Sequence, residues 1–145
     1  MTQPEAPGQD LTDPTSAAEW IAVANERAAD ADALVPTRQA SVGPVYLAGY
    51  AVECSLKAYL QRNGIGIPRG REGHHLRDLW RASRFRLADL SDTTGDKSFF
   101  IEHWSTGFRY QIALETELTP IELVQGARRL SGWIQKQVRR TRSRR

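Results

Sequence analysis

The chain has 145 residues, 40% of them hydrophobic and 26% charged, which is globular composition with room for one core. Its single cysteine, Cys54, excludes an intramolecular disulfide and a cysteine-based zinc cage within one chain. No apolar run reaches about 18 residues, and the opening "MTQPEAPGQDLTDPTS" lacks the basic start and apolar stretch of a signal peptide, so a cytoplasmic protein without a membrane partner is expected.

The net charge of +3 is unevenly spread. Residues 1–35 hold seven acids against one base, Arg27, whereas residues 126–145 hold eight bases and no acid. That basic end, with Arg139, Arg140 and Arg142, would attract a polyanion, of which nucleic acid is the commonest; a solvated tail is the plainer alternative.

Taken in chain order, residues 1–14 are rich in Pro, Gly and polar residues and read as disordered. Helical periodicity over Trp20, Val23, Ala24, Ala28, Ala31 and Leu34 predicts a first helix, capped by Thr15 or Ser16 and ended by Pro36. A second helix starts near Pro44, runs through "LAGYAVECSLKAYL" and stops at "QRNGIGIPRG". A third is expected from about His75 to Phe85. The loop "LSDTTGDKS" follows, with Asp96 or Ser98 as cap for a fourth helix carrying Phe99, Phe100, Ile101, Trp104, Phe108 and Ile112.

The last helix has the clearest start. Thr119 as N-cap, Pro120 at the first position and Glu122 at the third form a capping box, with Leu118 and Leu123 as hydrophobic staple. Its inward stripe would use Leu123, Leu130, Ile134 and Val138. No stretch alternates with a two-residue period between hairpin turns, so the expected fold is all-α, an antiparallel bundle of four to five helices over residues 15–140, with a basic tail at 141–145.

Within the second helix, Glu53 and Lys57 stand four apart in an otherwise apolar segment. With the acid N-terminal they meet on one face, as an ion pair at the helix rim or as part of a polar site. "HWSTGFRY" is also readable in two ways: Trp104, Arg109 and Tyr110 could stack on a base and hold its phosphate, or they could be core packing, with Arg109 answering an acid such as Glu53. The three histidines lack carboxylates at ligand spacing, so neither a metal nor another cofactor is expected.

The order "YLAGYAVECSLKAYL", "GHHLRDLW", "WSTGFRY" and "GWIQKQVRR" resembles the HEPN domain family, in particular its prokaryotic stand-alone members, over roughly Thr15 to Arg140. The resemblance implies an up-and-down helical bundle, usually a homodimer, tied to RNA cleavage, nucleotide binding, toxin–antitoxin pairs or phage defence. Many HEPN ribonucleases carry an acid and a base at the spacing of Glu53 and Lys57, beside an Arg-x(4 to 6)-His motif. There the arginine would hold phosphate and the histidine move a proton, without a metal. Here the region matching the usual motif, "FRYQIALETEL", has Arg109 and no following histidine, while Arg69 with His74 or His75 satisfies the spacing in a loop.

The resemblance therefore implies a module that binds RNA or a nucleotide without cleaving it. The alternatives are a metal-independent endoribonuclease using Glu53, Lys57, Arg69, Arg109 and His74 or His75, and an interaction module pairing with a nucleotidyltransferase or effector.

Overall fold

The computed structural model describes residues 13–143, with side chains as far as Arg140. Residues 1–12 of the expected N-terminal segment, and the side chains of the expected basic tail, lie outside the described residues. Five α-helices follow in order: α1 (Ala17–Leu34), α2 (Gly43–Arg62), α3 (Leu76–Ala82), α4 (Ser98–His103) and α5 (Pro120–Ser143), with 3-10 turns at Gly70–His74, Leu87–Leu90 and Thr106–Tyr110. There is no strand among the described residues, so the fold is the expected helical bundle.

The long helices begin where the polar side chains dictate. At α1 the Ser16 hydroxyl accepts the Glu19 backbone N–H at 3.1 Å, and the Glu19 carboxylate accepts the Thr15 N–H at 2.7 Å. At α5 the Thr119 hydroxyl accepts from the Glu122 N–H at 3.1 Å while the Glu122 carboxylate accepts from the Thr119 N–H at 2.8 Å, closing the capping box.

Helix α2 is the axis of the molecule. Val45, Val52, Leu56, Ala58 and Leu60 have no accessible surface, because α1 and α5 both lie along the helix. Leu76 and Leu79 of α3 and Phe100 of α4 join the core, as do Leu123, Leu130 and Ile134 on one stripe of α5. A smaller core at one end gathers Trp20 and Ala24 of α1, Cys54 and Ala58 of α2 and Val138 of α5.

The middle of the chain departs from expectation. Helix α3 is seven residues long, stopping before Phe85, and α4 is six residues long, stopping before Trp104. At Trp104 the backbone turns extended, with φ −65° and ψ 140°. The reason is tertiary: the indole lies on Gly49 of α2, where an added Cβ would come within 1.9 Å of it, and its Nε1 donates to the Tyr46 carbonyl at 3.2 Å. Ile112, expected on the apolar face of α4, is 95% exposed. The start of α4 is held by neither Asp96 nor Ser98; the Asp92 carboxylate accepts the Lys97 and Ser98 N–H groups at 3.3 and 2.8 Å, and Asp96 pairs instead with Arg129 of α5.

Candidate functional site

The charged pair in α2 forms and is buried. Lys57 Nζ lies 3.0 Å from Glu53 Oε2, with only 8% and 4% of the two side chains exposed. A pair so placed is not the rim contact that the sequence also allowed. Two charges at this depth persist only when neighbours satisfy them. Trp20 of α1 provides one such neighbour, its ring face 5.0 Å from Lys57 Nζ. His74 provides the other, placing Nδ1 3.1 Å from both Glu53 carboxylate oxygens.

His74 reaches Glu53 because the loop after α2 folds back. Asn63 and Ile65 donate to the carbonyls of Tyr59 and Leu60, turning the chain off the helix end, and the Gly70–His74 turn brings it over Lys57. Gly73 is buried at the closest point: a Cβ there would stand 2.7 Å from the Pro68 carbonyl oxygen and 3.7 Å from Lys57 Nζ. Only glycine fits against the Pro68 carbonyl here, at a point in contact range of the ammonium, and the next residue is His74. Beside a carboxylate the Nδ1 carries the hydrogen, leaving Nε2 of a half-exposed ring as the nitrogen that can exchange a proton with a ligand.

Lys57 and His74 open onto a polar groove of about 640 Å³, lined also by Arg69, Trp20, Asp13 and the Gly64–Pro68 loop, with the Glu53 carboxylate buried behind them. Arg69 is exposed at its wall and forms no ion pair among the described residues. Of the two histidines that fit the spacing behind Arg69, the structure brings His74 to Glu53; His75 turns away, its Nδ1 2.8 Å from Asp78.

Arg109 does not meet Glu53. Its Nη1 donates to the Thr106 carbonyl at 3.1 Å, and its guanidinium stacks over the exposed Tyr110 ring at 4.8 Å. Hydrogen bonding with Tyr110 and then Tyr46 raises its pKa above the ordinary arginine value. Trp104 is buried and serves packing, against Tyr46, Tyr50 and Phe108. Arg139 and Arg140 are exposed on α5, and the side chain of Arg142 lies outside the described residues. Val138, just before them, shares the small core with Trp20 and Ile67, so the basic end of α5 stands at the end of the bundle that carries the groove.

Two groups escaped the sequence reading. Tyr46 and Tyr50 share a hydrogen bond of 3.0 Å between hydroxyls, and Tyr50 meets the His74 ring edge-on at 6.5 Å between centroids. Burial, then the Tyr46 hydroxyl, pushes the Tyr50 phenol well above its usual range, so it stays protonated and able to donate. The spacing Tyr46, Tyr50, Glu53, Lys57 on one helical face is a signal that was legible. Trp20 under the ammonium was not, since only the fold brings α1 to α2.

Among the described residues no group of His, Cys, Asp and Glu could hold a metal ion, and no helix is long and apolar enough to cross a membrane. Comparison with curated proteins and with solved structures gives no match. A family model described as the HEPN domain matches residues 17–137, a span that takes in α1, α2 with its buried charged pair, the His74 turn and most of α5. The chain belongs to the HEPN domain family.

Proposed function

We propose that this protein binds RNA, or a nucleotide, through the phosphate, in the groove beside Glu53, Lys57 and His74, as a module of a prokaryotic toxin–antitoxin or defence system that acts as a homodimer. One observation carries the reading: an ammonium and an imidazole, both held on the buried Glu53 carboxylate, border a single groove with a guanidinium that forms no ion pair among the described residues. Arg69 can grip phosphate oxygens in two places, and Lys57 supplies a fixed positive charge behind them. The basic end of α5 adds long-range attraction at the same end of the molecule. Glu53 cancels part of that charge, so its role is to position Lys57 and His74 rather than to meet the anion.

A second reading, metal-independent RNA cleavage, is favoured by the Glu53–His74 contact. A carboxylate on Nδ1 orients a histidine so that Nε2 could take the proton of a 2'-hydroxyl while Arg69 and Lys57 steady the phosphate. The two readings part in one experiment: labelled single-stranded RNA with the purified protein and a chelator, wild type against Arg69→Gln and His74→Gln. Binding reduced in Arg69→Gln, with intact RNA throughout, supports the binding module. Strand breaks made by wild type and lost in His74→Gln support the nuclease. RNA that neither binds nor breaks contradicts both and directs attention to a nucleotidyltransferase or effector partner.

A further inference from the structure

A second groove lies at the far end of the same face of α2. The α1–α2 connection carries Arg38, and the 3-10 turn Thr106–Tyr110 carries Arg109; between them opens a groove of about 740 Å³ that also includes Ser41, Tyr46 and Gln111. Two guanidiniums line it and no carboxylate does. Arg38 forms no ion pair among the described residues, while Arg109 is steadied by the Thr106 carbonyl and the Tyr110 ring, so one cation is free to move and the other is placed. The Tyr110 ring beside Arg109 is 79% exposed, an unusual setting for an aromatic side chain in a bundle and a surface on which a base can stack.

The two grooves belong to one ridge. Tyr46 borders the second groove and Lys57 the first, and Tyr50 and Glu53 stand between them on the same helical face. Eleven residues separate Tyr46 from Lys57, about 16 Å along the helix axis. The Tyr46–Tyr50 hydroxyl bond and the Tyr50–His74 contact make the surface between them continuous.

We propose that the Arg38–Arg109 groove is a second phosphate subsite, so that the ligand of this protein is a single-stranded RNA segment laid along α2 rather than a mononucleotide. The inference rests on the phosphate-binding reading of the first groove. A mononucleotide seated at Lys57 and Arg69 is too short to reach the far cations. A strand of several nucleotides reaches them with a later phosphate and sets a base on Tyr110.

The test compares a labelled short single-stranded RNA with a labelled nucleoside monophosphate, measuring affinity by anisotropy across a salt series for wild type, Arg38→Gln/Arg109→Gln and Arg69→Gln, all confirmed folded by circular dichroism. The double variant is expected to bind the RNA roughly tenfold more weakly, with the salt slope shallower by about 0.7 for the one phosphate lost, and to bind the mononucleotide as wild type does. Arg69→Gln is expected to weaken both ligands. Wild-type RNA affinity and slope in the double variant, with Arg69→Gln still impaired, overturns the second subsite while leaving the first standing. No effect of Arg69→Gln on either ligand overturns the phosphate reading of the first groove, and this inference with it.

Discussion

Glu53 and Lys57 allow the energetics of the site to be tested apart from any ligand. At 3.0 Å and an effective dielectric constant near 20, their attraction is about 5 to 6 kcal/mol, which offsets the cost of removing both from water. Removing one partner leaves the other poorly compensated: Lys57 is 8% exposed and the ring of Trp20 alone cannot replace the carboxylate, while Glu53 keeps only the half-exposed His74 imidazole. Glu53→Leu and Lys57→Met are therefore each expected to cost about 3 to 5 kcal/mol, a melting temperature lower by about 10 to 16 °C. The double variant Glu53→Leu/Lys57→Met replaces the pair with apolar groups of similar volume and is expected within about 1.5 kcal/mol of wild type. Urea unfolding followed by far-ultraviolet circular dichroism gives all four corners of the cycle. Single variants within about 1 kcal/mol of wild type, or a double variant that costs the sum of the two, would refute the claim that these charges are buried and held by each other.

Three further outcomes follow from the packing. Gly49→Ala drives a methyl group into the Trp104 indole and should destabilise by about 3 kcal/mol with a shift in tryptophan emission; wild-type stability would mean that the Trp104–Gly49 contact is absent. Burial, reinforced by the Glu53 carboxylate, pushes the Cys54 thiol up to about 12, so a maleimide should modify it at least a hundredfold more slowly in the native protein than in urea; equal rates would contradict its burial. The Asp92 carboxyl lies below its usual range, because hydrogen bonds from Ser98 and Lys97 outweigh the upward push of burial, the largest single influence. Its stabilising effect is complete above the unfolded value near 3.9 and is lost as the pH falls through the lower folded value; Asp92→Asn should cost about 1 kcal/mol at pH 7 and make the stability profile below pH 4 shallower. An unchanged acid profile would remove Asp92 from that role.

How far the sequence reached depended on whether an interaction was local. The start of α5 was legible because Thr119, Pro120 and Glu122 settle it within four residues, and the Ser16 cap of α1 likewise. The end of α4 was not, because the residue that stops it, Trp104, answers to Gly49 and Tyr46 more than fifty residues away. Hydrophobic spacing alone carried the helix on to Ile112, which the structure leaves in water.

The site divided in the same way. Glu53 and Lys57 announced themselves by their spacing within one helix, whereas Arg69 with His74 or His75 drew notice only through the motif that the family resemblance implies. That His74, and not His75, meets Glu53 depends on the loop folding back onto α2, a contact across 21 residues that no local pattern encodes. Arg38 drew no notice in the sequence because one arginine among many carries no signal until Arg109 stands across a groove from it.

If RNA phosphate binds in the groove beside Glu53, Lys57 and His74, the imidazole NMR signals report it. A short single-stranded RNA would be titrated into the protein while the ring signals of His74, His75 and His103 are followed at constant pH. Phosphate binding in the groove gives a saturating shift of the His74 signals, with those of His103, which stands beside Glu102 on α4, unmoved. RNA binding that leaves the His74 signals unchanged, or no binding at all, would contradict it.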